Sequence, residues 1–168
     1  MTLESLLNNA RTLQSGMQSG SIVRGVLERH DKDIIEQQRI QLLEGKTSAG
    51  EDIHPSYSED VKPRGYFRSR DSAQRYAAWK QTLSYPYSVQ RNPDSPNLYI
   101  TGLFHSDLCV EFGAEAVSIV PDTAYAAKIM AKYGRGMFGL SMAKWGVIFG
   151  EKGAKKELIN QMKNVLWQ

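Results

Sequence analysis

The N-terminal quarter of the chain carries the apolar stripe of an amphipathic helix. Large aliphatic residues recur there at spacings of three and four positions, which is one face of a helix with 3.6 residues per turn. Gly16 and Gly20 interrupt this stripe, each at a cost of about 1 kcal/mol relative to alanine, and Ser21 is suited to cap a restart. The pattern predicts a helical region over 1–44, as one kinked helix or two, that stops at Gly45.

The segment 45–97 shows neither a helical nor a strand period. It is rich in glycine, serine, proline and charged residues, and a structureless stretch of this length is normally functional or disordered. One helix is predicted within it, over 72–83, with Asp71 or Ser72 as its cap. We interpret the segment as an extended arm that has little use in an isolated subunit and is mobile until it meets a partner.

An alternation of apolar and polar residues over 106–112 predicts a strand with one apolar face, after a short apolar run at 98–100. The residues 116–120 predict the returning strand, ended by Pro121. Gly113, Ala114 and Glu115 lie between the two strands and favour a turn. The pattern therefore predicts an antiparallel hairpin at about 104–120.

Two further helices follow the hairpin. Asp122 or Thr123 is suited to cap a helix at about 123–133 that closes at Gly134. A C-terminal helix is predicted at about 141–166, and the glycines at 146, 150 and 153 favour a break in its first half. The order of elements predicts an α+β fold in a single domain over 1–168, with helices packed on a small antiparallel sheet.

Composition narrows the class of protein. The 168 residues are enough to bury one core, and a single cysteine excludes an intramolecular disulfide. The chain has no apolar run of about 18 residues and no secretory signal at its start, so we expect neither a membrane span nor export. The balance of 21 Lys+Arg against 18 Asp+Glu is mildly basic.

Two motifs are candidates for chemistry, and each has a simpler interpretation. The segment 134–139 matches G-x-G-x-x-G, but it follows a helix, whereas a dinucleotide site needs that loop after a strand. A turn between helices is therefore favoured. His105 and Cys109 are four residues apart and would share one face of a strand, yet no orienting group or oxyanion site accompanies them. We expect Cys109 to be a small buried side chain.

The remaining ionisable residues do not form a reactive cluster in the sequence. The three histidines have no metal-ligand spacing, and the acidic pairs at 51–52 and 59–60 are expected to be solvated charge. We therefore expect that the protein is not an enzyme and that it holds no metal and no cofactor.

The most informative charge lies between Asp60 and Arg91, where seven basic residues accompany only two acidic ones and aromatic residues are interleaved. Arginine, tyrosine and tryptophan are favoured anchors at protein interfaces, and basic residues with aromatics also bind nucleic acid. We favour a protein contact and keep both alternatives. The candidate interface or DNA-lumen contacts are Arg64, Tyr66, Arg68, Arg70, Arg75 and Trp79.

Five short segments occur in a characteristic order. A helix end with a Gly-Lys turn at 41–50 is followed by a Ser/Tyr loop at 55–58 and a Leu-x-x-Thr-Gly segment at 98–103. A Tyr-Ala helix at 124–134 then leads to a Phe-Gly-Leu-Ser helix entry at 137–141. This set resembles the tail-completion or virion-morphogenesis proteins, head–tail connector ring proteins of tailed bacteriophages. The versions in podovirus-like phages of gut bacteria (crAss-like) are the most similar, and an insertion at 64–96 departs from the family pattern.

The resemblance implies an α+β fold with a small sheet flanked by helices, and a virion protein present in many copies. It implies a homo-oligomeric ring at the head–tail junction or in the tail, assembled in the host cytoplasm. The partners implied are other copies of the chain, the portal-side ring or an adaptor, and further tail proteins around the DNA channel. Non-specific contact with genomic DNA in the lumen is compatible with this interpretation, and no membrane is involved. The alternative is a nucleic-acid-binding accessory protein that uses the segment 62–91.

Overall fold

The computed structural model describes residues 2–113 and 116–167 and confirms the α+β class. Helices pack against one face of a two-stranded antiparallel sheet. The elements are α1 (Leu3–Gln18), α2 (Ser21–Arg29), α3 (Asp31–Leu43), α4 (Arg70–Gln81), α5 (Leu103–Ser106), β1 (Leu108–Phe112), β2 (Val117–Pro121), α6 (Ala126–Tyr133), α7 (Met142–Phe149) and α8 (Ala154–Trp167). Within the described ranges, no helix has the length and apolar character needed to cross a membrane.

The N-terminal region is three helices, whereas one or two were expected. The first break lies at Gly20, which is the N-cap of α2 and has a left-handed φ of +70°. Ser21 is therefore the first helical residue and not the cap. The second break lies at His30, which ends α2 and precedes α3. The sequence pattern missed it because the apolar spacing continues across that residue.

The predicted stop at Gly45 is confirmed, and its geometry explains the residue. The Gly45 N–H donates to the carbonyl of Leu42 at 2.9 Å, and the Lys46 N–H donates to the carbonyl of Gln41 at 3.0 Å. This pair of bonds is a Schellman motif, which requires a left-handed residue at Gly45, here with φ +73°. A Cβ at this position would lie 2.6 Å from Ser95 Oγ, so a side chain is excluded by contact as well.

The hairpin forms with the predicted inward face. Leu108, Val110 and Phe112 alternate with exposed residues, and Val110 pairs with Ile119 across the sheet. The hairpin begins four residues later than expected because 103–106 forms the short helix α5. Two residues of the expected turn, Ala114 and Glu115, lie outside the described residues.

Helices form after the hairpin in both regions where they were expected, but some of their bounds differ from the prediction. Helix α6 begins at Ala126 and is preceded by Tyr125, so the predicted caps Asp122 and Thr123 are wrong. The Asp122 N–H instead donates to the carbonyl of Asp107 at 2.9 Å, which extends the strand pairing. The expected weakness among the C-terminal glycines is a full break at 150–153, which separates α7 from α8.

The main core joins both halves of the chain. It collects buried side chains from α2, α3, α5, the sheet, α7, the start of α8 and the loops between them: Val26, Leu27, Ile34, Leu42, Ile53, Phe104, Leu108, Ile119, Met137, Leu140, Ile148 and Ala154. Helix α1 lies outside this core, because it packs on α8 and α2 and has no buried residue of its own.

Two buried glutamines of α3 fix the G-x-G-x-x-G segment as a turn. Gln38 Nε2 donates to the carbonyl of Met137 at 3.0 Å, and the Gly139 N–H donates to Gln38 Oε1 at 2.9 Å. Gln41 repeats this pattern one turn later, donating to the carbonyl of Gly139 and accepting from the Ser141 N–H, both at 2.8 Å. Each amide thus satisfies one backbone donor and one backbone acceptor of residues 137–141. The turn interpretation of 134–139 agrees with these contacts.

The segment 45–97 folds back on the rest of the molecule, in contrast to the extended arm expected from its composition. Its backbone is held by loop contacts, including Ser48 N–H to the carbonyl of Gly136 at 2.8 Å and Tyr57 N–H to the carbonyl of Asp94 at 2.9 Å. It also has a small apolar cluster of its own, formed by Tyr57, Phe67, Ala73 and Ala77. Composition did not predict this, because hydrogen bonds between loops have no sequence period.

Candidate interaction surface

Helix α4 presents half of the candidate residues. It begins with a capping box, in which the Ser72 N–H donates to Ser69 Oγ at 3.2 Å and the Ser69 N–H donates to Ser72 Oγ at 3.1 Å. The expected caps Asp71 and Ser72 were therefore placed two to three residues too late. Ala73 and Ala77 face the apolar cluster, and the exposed side of the helix carries Arg70, Arg75 and Trp79.

A tight loop before α4 presents the other three candidates. Buried Asp60 accepts from the Tyr66 N–H at 3.0 Å and forms an ion pair with Lys132 of α6. Within this loop, the backbone of Gly65 lies so close to that of Asp60 that a Cβ on Gly65 would be 2.0 Å from the carbonyl carbon of Asp60. These contacts leave Arg64, Tyr66 and Arg68 exposed, and they show that the solvated state expected for Asp60 was wrong.

The structure joins Tyr66 and Trp79 through a row of aromatic rings. The centroid of Tyr66 lies 5.2 Å from that of Phe67, and Phe67 lies 5.2 Å from Tyr76. Tyr76 in turn lies 5.4 Å from Trp79. The inner rings are packed on Tyr57, and the two ends of the row are exposed. We call this row with its surrounding arginines the aromatic–basic surface.

The charge of the aromatic–basic surface is smaller than the sequence count suggested. Within the described ranges Arg64, Arg68 and Arg70 have no acidic partner, whereas Arg75 pairs with Asp71 at 2.8 Å. That exposed pair contributes little stability and leaves both groups available to solvent. Lys80, counted with the others in the sequence, does not belong to the surface because its side chain is buried.

Lys80 instead points inward together with Arg91. Its ammonium donates to the carbonyl of Tyr99, and the guanidinium of Arg91 lies 5.4 Å from the ring centre of Tyr85. Burial and the neighbouring Arg91 lower the pKa of Lys80 to about 8. The cost of burying an ammonium with a single carbonyl partner is the physical cause of that shift.

Lys80 also lines a groove that sequence reasoning did not identify. The groove has a volume of about 500 Å³, and its walls come from α4, the loop before α5, α5 and α6. Tyr57, Tyr76 and Tyr133 are among its ring-bearing residues, and burial raises the pKa of each of these phenols, so they remain protonated. We call this feature the tyrosine groove.

Two exposed aliphatic residues, Ile100 and Leu103, form part of the tyrosine groove. Ile100 ends the apolar run at 98–100, and Leu103 follows it after Thr101 and Gly102. Isolated exposed aliphatic residues are ordinary, so this run alone did not indicate a surface. The groove became visible only when segments far apart in the sequence were placed together.

The His105 and Cys109 pair does not have the geometry of a nucleophile and its base. His105 is buried in α5, where its Nε2 lies 2.9 Å from the carbonyl of Asn97, and burial lowers its pKa to about 4. Cys109 is exposed on β1, which corrects the expectation of a buried side chain. Desolvation raises the pKa of its thiol, the opposite of the shift that activates a cysteine.

The acidic residues expected to be solvated are mostly paired. Asp52 lies 2.8 Å from Lys46, and Glu59 lies 2.7 Å from His54. Within residues 2–113 and 116–167, no group of three or more His, Cys, Asp or Glu side chains has the arrangement of a metal site.

Comparisons of the chain with protein-family models, with curated proteins and with solved structures give no match. The role of the protein must therefore be inferred from its own residues and their geometry.

Proposed function

We propose that the protein is a structural subunit of a tailed-phage particle. It forms a multi-copy ring at the head–tail junction or in the tail, and it joins the portal-side ring to the next tail component around the DNA channel. The order of the five segments that resemble head–tail connector proteins supports this function. The α+β fold is compatible with it but does not select it, because one fold serves many functions.

The observation that supports the proposal best is that one chain exposes two unlike apolar surfaces. Leu3 and Leu7 on α1 are each more than half exposed, and so are Ile100 and Leu103 at the tyrosine groove. Exposed apolar patches mark interaction sites. A subunit that repeats around a ring needs two different surfaces, since each copy contacts one neighbour with each of them.

The test is the copy number of the chain in purified phage particles. Quantitative mass spectrometry should give a fixed ratio of this chain to the portal protein, at an integer multiple or fraction of the portal copy number. A chain that is absent from particles, or present at a ratio that varies between preparations, would contradict the proposal.

The aromatic–basic surface favours a second candidate function, binding of nucleic acid. Tyr66 and Trp79 expose rings at the two ends of one row, and Arg64, Arg68 and Arg70 provide cations without acidic partners among the described residues. Stacking of bases on such rings and contact of arginines with phosphates need no sequence preference. A ring subunit that lines a DNA channel would use the same chemistry.

The salt dependence of single-stranded DNA binding tests this candidate. Replacing Arg64, Arg68 and Arg70 by glutamine should reduce the slope of log K against log salt by about 2, because each phosphate contact contributes about 0.7. The matched control replaces the exposed Lys155, Lys156 and Lys163 of α8 by glutamine and removes the same charge elsewhere. An equal loss in both variants would show that only net charge matters, and the candidate function would fail.

A further inference from the structure

The tyrosine groove has the properties of a binding site for an apolar segment that carries a negative charge. Its volume of about 500 Å³ lies in the usual range for ligand-sized cavities, and aromatic and aliphatic side chains form most of its walls. Among the residues that the structure describes, Lys80 is the only charged one that lines the groove, and no carboxylate lines it. A molecule that binds in the groove therefore has to supply apolar groups that pack on these walls and a negative charge that neutralises Lys80.

Lys80 makes the absence of a carboxylate costly. The residue is 1% exposed, and its ammonium, which has three N–H donors, donates to the carbonyl of Tyr99. Arg91 adds a second cation nearby, since it contributes to the lowered pKa of Lys80. A carboxylate brought to the groove would interact with this positive charge at reduced dielectric constant, where the attraction is stronger than in water.

The first two turns of α1 carry the complementary groups. Leu7 lies four residues after Leu3 and three after Glu4, so Leu3 and Leu7 share one helix face and Glu4 lies at its edge, within reach of Leu7. All three are exposed. In the described part of the chain, no cation lies within ion-pair distance of Glu4. Helix α1 therefore presents two exposed leucines beside a carboxylate that has no cationic partner among residues 2–113 and 116–167.

We propose that the tyrosine groove receives helix α1 of a neighbouring copy of the same chain. Leu3 and Leu7 would fill the apolar part of the groove between Ile100 and Leu103, and Glu4 would face the positive charge of Lys80. The inference rests on the proposed ring function. We call the exposed leucines Leu3 and Leu7 of α1 the knob. Because the knob and the groove lie on different elements, each copy contacts its neighbour head-to-tail. Such contacts continue from copy to copy until the rotation between copies closes a ring.

Sedimentation velocity of two complementary variants tests the contact. The knob variant carries Leu3→Gln and Leu7→Gln, and the groove variant carries Ile100→Asp and Leu103→Asp. The wild-type chain should form assemblies larger than a dimer, and each variant alone should be monomeric. An equimolar mixture should form a one-to-one heterodimer and nothing larger, because the mixture contains one intact groove and one intact knob for every two chains.

Several controls keep this outcome interpretable. The far-UV circular dichroism and melting temperature of each variant should match those of the wild type. Replacing the exposed Met142 and Ile159 by glutamine removes a comparable apolar surface elsewhere and should leave assembly unchanged. The variant Glu4→Gln should weaken association several-fold at low salt and by less at high salt.

A wild-type chain that stays monomeric at every concentration, or folded variants whose mixture stays monomeric, would overturn the inference. A knob variant that still assembles would do the same. If particles nevertheless contain the chain at a fixed ratio to the portal, the ring function stands and its contacts lie elsewhere. If heterodimers form but particles lack the chain, the ring function fails while the contact between copies remains.

Discussion

His105 shows how a single buried ring is fixed in one protonation state. Its Nε2 donates to the carbonyl of Asn97 at 2.9 Å, and the ring of Tyr99 packs against it edge-on at 5.3 Å. Burial, followed by the nearby charges of Lys80 and Arg39, keeps its pKa at about 4. The imidazole is therefore neutral at physiological pH, and its role is to pack and to donate one hydrogen bond.

This state predicts a loss of stability in mild acid. Between about pH 6.5 and about pH 4 the unfolded chain protonates His105 while the folded chain does not, so the free energy of unfolding falls as the pH falls. The full effect of a shift of this size is about 3 kcal/mol. Urea denaturation at a series of pH values across this window measures it.

The variant His105→Gln is the matched comparison, because glutamine keeps an N–H donor and does not titrate in this range. Its stability should be flatter than that of the wild type across the window. His54→Gln is the control, since His54 is exposed and its bond to Glu59 raises its pKa, which gives the opposite sign. A wild-type curve no steeper than that of His105→Gln would contradict the prediction.

At the scale of elements, the sequence predicted what local chemistry determines. The helix stops at Gly45 and Gly134 and the inward face of the hairpin depend on residues close in sequence. The break at His30 also has a distant partner, because the Nε2 of His30 lies 3.1 Å from Glu157 of α8. A contact across 127 positions leaves no period to detect.

The same distinction applies to the candidate surfaces. All six candidate residues are exposed, and the sequence indicated that basic and aromatic residues concentrate in this segment. The sequence did not distinguish Lys80 from the exposed basic residues, although Lys80 lies on the buried face of α4 with Ala73 and Ala77. It also predicted that the buried Asp60 would be solvated. The tyrosine groove was missed entirely, because α4, α5 and α6 contribute its walls from separate stretches of the chain.

The side-chain amide of Gln41 joins α3 to the segment 134–141, so its removal should lower stability. Replacing Gln41 by leucine removes the partners of the Gly139 carbonyl and the Ser141 N–H. Each unsatisfied buried group costs about 1–3 kcal/mol, so the free energy of unfolding should fall by about 2–6 kcal/mol. Urea denaturation at neutral pH measures the loss.

The exposed Gln74 provides the control for this prediction. The variant Gln74→Leu makes the same chemical change on α4 without removing a buried hydrogen bond, and surface changes of this kind alter stability by about 0.5 kcal/mol or less. A loss for Gln41→Leu as small as that of Gln74→Leu would mean that water reaches the segment and satisfies its backbone groups.

At the scale of the whole molecule, helices α1 and α8 lie side by side. Asn9 of α1 donates to the carbonyl of Leu166 of α8, 157 positions away, and Arg29 of α2 forms an ion pair with Glu157 of α8. Lys152, in the loop before α8, adds an ion pair to Glu36 of α3 at 3.0 Å. The N-terminal helices are therefore held by α8 and the loop before it, which lie more than 100 positions further along the chain.

This arrangement has a consequence during synthesis. A ribosome makes the chain from its N-terminus, so α1 emerges long before the α8 helix that covers its inner side exists. Contacts of such high sequence separation slow folding and leave apolar surface open in the meantime. A nascent chain that has not yet made α8 therefore leaves the inner side of α1 uncovered, whereas the folded protein packs α8 on it.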